Sequence, residues 1–411
     1  MATKITAPSG PLQCSPLLPA SKSISNRALI LRAMSGSALP IDNLSDADDT
    51  RTLQHLLSSQ DQELYCGDGG TTFRFLLAYL AAKGGRFTFT TSASLASRPL
   101  KPLLAALEKL GCRFESPSEE NLFPLTLWSD GLKSSGPLEL PGDVSSQFIS
   151  ALMMAGPLVK NGLQLHLTGE VLSRPYIEMT SGLMRFFGVE PKFENGTILI
   201  SEGKYTPAAV KVESDWSAAS YWYEIAALPP GSEIKLHGLS LNSLQGDRSI
   251  AEAMKHFGVA TVESDGYLIL RSSGLQVSPE KLIFDLTDCP DTAPALICTA
   301  AGMGLTADFP GLKNFRLKEC DRAAAFQREL YNFGVNTDFC GGSKFKVYGG
   351  YPIRSSARIV KTYRDHRVAM AIAPLALVAG PVLIDDMSVV SKSYPGFLQE
   401  IEKAGFKAEA V

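Results

Sequence analysis

The sequence repeats itself, and the length of the repeat constrains the fold more than any other feature of the chain. An amphipathic stretch closing on an apolar-Gly-apolar signature recurs as Leu110-Gly111-Cys112, Phe187-Gly188-Val189, Phe257-Gly258-Val259, Phe333-Gly334-Val335 and Ala404-Gly405-Phe406, at intervals of 77, 70, 76 and 71 residues. A glycine just past the last helical turn takes the left-handed conformation that ends a helix. Beyond it the chain turns apolar again, and segments such as Thr197-Ile198-Leu199-Ile200 or Tyr267-Leu268-Ile269-Leu270 read as strands. The period is longer than that of common solenoids, so each repeat holds several elements.

A second series runs in step with the first. Short polar segments open very apolar runs at Gly70-Thr71-Thr72, Val144-Ser145-Ser146-Gln147, Asp215-Trp216-Ser217, Asp291-Thr292-Ala293 and Asp365-His366-Arg367, spaced by roughly 72 to 76 residues, with Ser21-Lys22-Ser23 as an earlier sixth member. Six units of strand, buried helix, strand, amphipathic helix and strands account for both series, which makes the fold α/β. Helices apolar on all sides must be enclosed, so sheets of neighbouring units are expected to pack around them in groups of three.

Length and composition fit such a fold. A chain of 411 residues with 45% hydrophobic and 20% charged residues forms two or three domains with sizeable cores. A net charge of −3 and a pI near 6.0 argue against a nucleic-acid or membrane-surface binder. The uncharged run Val368–Ile384 is broken by Pro374, Gly380 and Pro381 and reads as a buried helix followed by a turn and strand, not a membrane span. Seven cysteines without a CxxC pair read as reduced thiols, and Met1–Pro8 shows neither an apolar signal core nor an Arg-rich leader, so a cytoplasmic location is expected.

The helix openings also carry the chemistry. Ser21-Lys22-Ser23-Ile24-Ser25-Asn26-Arg27 sets two cations and several hydroxyls in one first turn, where free amide N–H groups and the positive end of the helix dipole favour an anion. If equivalent helix starts face one way, Lys22, Arg27, Arg98, Lys318, Arg322, Arg367 and Lys392 converge on a small ligand with several negative charges, since Arg suits bidentate and Lys point-charge contacts with phosphate and carboxylate. No grouping of His, Cys and carboxylates has metal-ligand spacing, and no cofactor or metal is expected.

Ten segments, in order and at compatible spacing, resemble the 5-enolpyruvylshikimate-3-phosphate synthases of the enolpyruvyl transferase family. They are Ser21-Lys22-Ser23 through Arg27, Gly67-Asp68-Gly69-Gly70-Thr71, Ser97-Arg98-Pro99, Ser145-Ser146-Gln147, Ser173-Arg174-Pro175-Tyr176, Gln245-Gly246-Asp247, Pro290-Asp291, Arg316 through Arg322, Tyr363-Arg364-Asp365-His366-Arg367, and Lys392. The resemblance implies two similar domains, each of three βαβαββ units around buried helices, with the active site in the interdomain cleft. The first domain would hold residues 1–20 and 214–411 and the second residues 21–213, whose first unit is shortened between Arg51 and Gly67. It also implies a cytoplasmic monomer of the shikimate pathway of aromatic amino-acid biosynthesis, without cofactor, and a target of glyphosate. Such an enzyme transfers the enolpyruvyl group of phosphoenolpyruvate to the 5-hydroxyl of shikimate 3-phosphate and releases phosphate through a tetrahedral intermediate.

Carried over position by position, the resemblance assigns shikimate 3-phosphate to Lys22, Ser23, Arg27, Ser145, Ser146, Gln147, Ser173, Tyr176, Asp291, Asn314 and Lys318. Phosphoenolpyruvate falls to Lys22, Gly70, Arg98, Gln147, Arg322, His366, Arg367 and Lys392. Catalysis falls to Asp291 at the attacking hydroxyl, Glu319 in proton shuttling and Lys22 as acid for the departing oxygen, two poised acid/base groups being what the chemistry requires. Taken alone, Asp291 is a helix cap, Lys318 through Arg322 a solvated charged turn, Gly69-Gly70 a turn and His366 a capping or structural imidazole, which within the resemblance orients the ligand.

Asp68, Gly69, Thr72 and Phe75 depart from the Asn, Ala, Ala and Pro usual in the family. The alternative activity is enolpyruvyl transfer to UDP-N-acetylglucosamine, whose enzymes carry a reactive Cys in the loop that reads Leu95-Ala96-Ser97-Arg98 here. RNA 3′-phosphate cyclases share related repeats but not this acidic pI, and a non-catalytic binding module would have no need of an Asp291/Glu319 pair.

Overall fold

A computed structural model describes residues 2–273, 281–350, 353 and 358–411. The chain forms two compact units, one of residues up to Pro19 together with Glu213–Val411, the other of Ala20–Val212.

In the Ala20–Val212 unit the apolar runs become the helices Lys22–Met34, Gly70–Lys83 and Ser146–Ala155. The last is buried at every position from Phe148 to Ala155, because no polar stripe interrupts it. In the other unit the corresponding helices are Trp216–Ala227, Ala293–Gly302 and His366–Ile372, again enclosed along their length. All six begin at the polar openings read from the sequence. The reason is local: Ser21, Ser145, Asp215 and Asp365 each accept a hydrogen bond from a first-turn amide.

Each buried helix lies beside two strands paired in parallel, with registers Glu63↔Thr88, Leu138↔Leu165, Val210↔Ile41, Glu233↔Gln13 and Leu282↔Ala307; in the sixth case the pairing is an isolated bridge, Val360↔Ile384. Four of the sheets extend to four strands by adding an antiparallel hairpin. The strand pair Ile41–Asp42 and Val210–Lys211 stands alone, because helix Asp48–Ser58 passes almost directly to strand Glu63–Tyr65. In the other unit Thr3–Thr6 inserts between Val382–Ile384 and Lys407–Ala410, so the start and the end of the chain close one sheet.

The five marker glycines, Gly111, Gly188, Gly258, Gly334 and Gly405, have φ of +104°, +82°, +78°, +81° and +97°. They are the left-handed caps the signature requires. The run from Val368 becomes a helix, a turn and the strand Val382–Ile384, and among the described residues no helix is long and apolar enough to cross a membrane.

Candidate active site

In the Glu213–Val411 unit, three helix openings bring charge together. Asp321 caps Arg322–Asn332 by accepting from the Ala324 amide at 3.0 Å, which makes Arg322 the first helical residue and turns its side chain inward. The guanidinium, 1% exposed, meets three carboxylates: Nε donates to Asp365 at 2.8 Å, Nη2 to Glu319 at 2.6 Å and Nη1 to Asp291 at 3.3 Å. Burial alone would favour loss of its proton, but Asp365, Glu319 and Asp291 hold it charged well above the ordinary range.

Asp291 gathers three cations. Arg367 Nη2 lies 2.9 Å from Oδ2, while Lys318 Nζ lies 3.4 Å and Arg322 Nη1 3.3 Å from Oδ1. Burial pushes its pKa up, but Arg367, Lys318 and Arg322 prevail and hold the carboxyl far below the usual carboxylate range. Its backbone carbonyl accepts from Arg367 Nη1 at 3.1 Å, which fixes the arginine on both sides. Asn314 opens the turn Phe315–Leu317 that delivers Lys318 and Glu319. Lys392 Nζ donates to the Arg364 carbonyl at 3.0 Å, and the buried His366 places Nδ1 3.9 Å from Asp365.

Behind this cluster, Asp247 accepts a short hydrogen bond from Ser217, whose Oγ lies 3.4 Å from Arg367 Nη2. Burial and the nearby Asp291 push Asp247 up to about 6, Arg367 opposing them. A carboxyl raised in the folded state is protonated in both states below about 4 and charged in both above about 6. Stability therefore falls as pH rises through that window. Asp247→Asn, which keeps an acceptor for Ser217, should be more stable than the parent at pH 7.5 by about 2 to 3 kcal/mol and equal to it at pH 3.5. Denaturant titrations at the two pH values check this, and a gain that persists at pH 3.5 would show a cause other than charge.

In the Ala20–Val212 unit, side-chain hydrogen bonds lace the first turns of the buried helices together. Asn26 Nδ2 donates to Thr71 Oγ1 at 2.9 Å and its Oδ1 accepts from Thr50 at 2.8 Å. Arg74 Nη1 makes a short bond to Gln147 Oε1, and its guanidinium lies 5.0 Å above the Phe148 ring. Lys22 Nζ pairs with Asp49 at 3.1 Å. Gly70 sits where these groups crowd: a Cβ there would lie 2.7 Å from Arg74 Nη1, 3.2 Å from Gln147 Oε1 and 3.4 Å from Arg98 Nη1. A side chain at this position would crowd two guanidinium groups and an amide.

Of the serines assigned to shikimate 3-phosphate, Ser145 caps its helix through Gln147 N at 3.3 Å. Ser173 does not cap helix Arg174–Phe186; it sits at φ +56°, left-handed without being glycine. Arg27 is deeper than the sequence suggests. It is 1% exposed and donates to Thr180 Oγ1 at 2.7 Å, the Ser23 carbonyl at 2.9 Å, Ser150 Oγ at 3.1 Å and the Tyr176 carbonyl at 3.4 Å. Its guanidinium also lies 5.2 Å from the Phe75 ring centroid and 5.9 Å from that of Tyr176. Burial lowers its pKa to about 10, so it stays charged at neutral pH. Four of its five N–H groups meet acceptors among the described residues, and the fifth lies on Nη1.

Two of the unusual positions also have physical accounts. Asp68 accepts a short hydrogen bond from Ser92 and ties the glycine loop to the start of helix Ala93–Ala96. Phe75 lies inside an unbroken helix Gly70–Lys83 and forms the floor under Arg27.

Sequence reasoning missed Asp49, Arg74 and Asp365 as site members. Asp49 has no motif of its own. Arg74 lies four residues after Gly70 on the same helix face, a spacing that was a usable signal.

Two solved structures of EPSP synthase from Acinetobacter baumannii cover 100% of this chain and of their own at TM-scores of 0.79 and 0.78; at 20% identity they establish the fold, an α/β architecture of the same kind. The family model for EPSP synthase (3-phosphoshikimate 1-carboxyvinyltransferase) matches residues 53–401. The 3-phosphoshikimate 1-carboxyvinyltransferase of Bacteroides fragilis strain YCH46 is 42% identical over 95% of this chain and 94% of its own, and that of Vibrio vulnificus strain YJ016 is 32% identical over 93% and 94%. The chain belongs to the EPSP synthase family.

Proposed function

We propose that the protein transfers the enolpyruvyl group of phosphoenolpyruvate to the 5-hydroxyl of shikimate 3-phosphate and releases phosphate, as a cytoplasmic monomer of the shikimate pathway. The observation that carries the reading is the Asp291 cluster: one carboxylate among Arg367, Lys318 and Arg322, with Glu319 on the same guanidinium. Such a set holds anions and offers two carboxyl groups in different environments, which suits acid/base work at adjacent atoms. Seven free cysteines are in keeping with a reducing compartment.

Shikimate 3-phosphate is held through its phosphate by Ser145, Ser146 and Ser173, with Gln147 and Tyr176 beside them and Ser23 and the remaining Arg27 N–H toward its carboxylate. Asp291, Asn314 and Lys318 meet its hydroxyls. Phosphoenolpyruvate lies against Gly70, Arg98, Gln147, Arg322, His366, Arg367 and Lys392, with Lys22 shared by both substrates. Glyphosate competes for the same ground over the bare Cα of Gly70.

Asp291 takes the proton of the 5-hydroxyl as its oxygen bonds to C2 of phosphoenolpyruvate, while Glu319 delivers a proton to the methylene carbon. Lys22 then protonates the departing phosphate oxygen, and loss of a methyl proton to Glu319 restores the double bond. In the free enzyme the three cations make Asp291 a weak base. Substrate anions that share those cations raise its basicity, so binding both substrates arms the base. Fixed positive charge and positioning supply much of the remaining barrier reduction.

Phosphate release from phosphoenolpyruvate tests the proposal directly. It should require shikimate 3-phosphate, proceed at full rate in EDTA, and not occur with UDP-N-acetylglucosamine as acceptor. No group of three or more potential metal ligands occurs among the described residues. Turnover with the nucleotide sugar, or inactivation by EDTA, would sink it.

A further inference from the structure

The turn that precedes Asp365 is built against its own sequence. The Asp365 amide donates to the Thr362 carbonyl at 2.9 Å, which closes a four-residue turn whose central positions are Tyr363 and Arg364, at φ +53° and +58°. Both are left-handed, as in a type I′ turn, where Asn and Gly are the residues expected. Bulky side chains seldom take that conformation, and two in succession persist only where surrounding contacts impose it.

The contacts are specific. The Tyr363 hydroxyl donates to Glu329 Oε1 at 2.6 Å, and Glu329, 1% exposed, lies on helix Arg322–Asn332, whose first residue is the buried arginine of the site. Glu329 Oε2 is occupied by Asn332 at 3.2 Å. On the other flank the Thr362 amide donates to Asp385 at 2.9 Å. Two groups of the site depend on the turn so held: the Arg364 carbonyl accepts from Lys392 Nζ at 3.0 Å, and Asp365 meets Arg322 Nε at 2.8 Å. A relaxed turn at Tyr363 or Arg364 would re-aim that carbonyl and shift Asp365.

We propose that Tyr363 and Glu329 are positioning residues for the phosphoenolpyruvate half of the reaction: their hydrogen bond holds the left-handed turn that aims Lys392 and Asp365. Burial and the Glu329 carboxylate push the Tyr363 hydroxyl up to about 12, so it stays a donor across the working pH range. The inference rests on the assignment of Lys392 and Arg322 to phosphoenolpyruvate.

Steady-state kinetics of Tyr363→Phe, Glu329→Met, which leaves no acceptor for the hydroxyl, and the double variant test it. Each single change should raise KM for phosphoenolpyruvate about fivefold and lower kcat about tenfold, leave KM for shikimate 3-phosphate within about twofold, and the double variant should be no worse than the poorer single one. In the Tyr363→Phe background, Arg364→Asn should recover part of the loss, because Asn enters the left-handed region more readily than Arg; a general packing defect would not respond so. Equal changes in both KM values, additive losses or no change would overturn the proposal. If Tyr363→Phe does not fold, Glu329→Met carries the same readings. Lys392→Met is measured alongside: a normal KM for phosphoenolpyruvate in that variant would mean that the site assignment, not the positioning, is at fault.

Discussion

Asp291→Asn should lose kcat by about 10² to 10³ while KM for phosphoenolpyruvate stays level or falls. The magnitude is that of a positioned general base in proton transfer. The direction of KM is set by charge: Arg367, Lys318 and Arg322 each lie within 3.4 Å of this carboxylate, and an amide in its place leaves all three with more attraction for a substrate anion. A loss of rate with undiminished ground-state binding is the signature of a group that acts on the way to the transition state. A purely structural role predicts near-normal turnover; the capping role read from the sequence is not found, since Thr292 stands at the N-cap of helix Ala293–Gly302 and no side chain caps it. Phosphate-release kinetics separates the two, and a kcat within tenfold of the parent would leave Asp291 a structural member of the charge cluster only.

The same variant should be less stable than the parent at neutral pH. A carboxyl held below its unfolded value contributes stability above about pH 4 that disappears as pH falls toward the folded value. At pH 3 the difference between variant and parent should therefore shrink.

How much of this was legible in the sequence divides along physical lines. The six buried helices and their first residues were legible because a polar cap followed by an unbroken apolar run is a local signal. The marker glycines were legible for the same reason, each lying at the one backbone position where a side chain is costly. The closing strands were not: Val210–Lys211 pairs with Ile41–Asp42 across the length of a unit, and two-residue strands leave no periodicity. Arg27 was read as a ligand-facing cation, yet most of its donors are consumed by Thr180, Ser150 and two carbonyls that only tertiary packing brings near it. Asp49 and Asp365 were missed as charge partners because an ion pair is a property of two distant positions. Even the turn at Tyr363-Arg364 contradicts local preference, and a reading of local propensity would have placed no left-handed turn there.

Arg322→Met should unfold well below the parent. Removing one member of a buried, hydrogen-bonded charge cluster typically costs about 3 to 5 kcal/mol, because the partner is left charged and without compensation. Here the partner is Asp365, 0% exposed and bonded to Arg322 through both carboxylate oxygens. For a folded unit of this size the fall in Tm should be on the order of 10 °C. Adding Asp365→Asn to Arg322→Met should recover about half of that fall, since the amide oxygen can still accept from the Arg367 amide, as Asp365 does at 2.9 Å, while the orphaned charge is gone. Activity should not return with stability. The double variant still lacks the guanidinium proposed to hold phosphoenolpyruvate, and kcat/KM for that substrate should stay at least about 10³-fold down. Calorimetry and kinetics on the two variants thus separate what Arg322 does for the fold from what it does for the reaction. Equal melting of the single and double variants would show that the charge left on Asp365 is not the source of the loss, and recovery of activity in the double variant would remove Arg322 from the site.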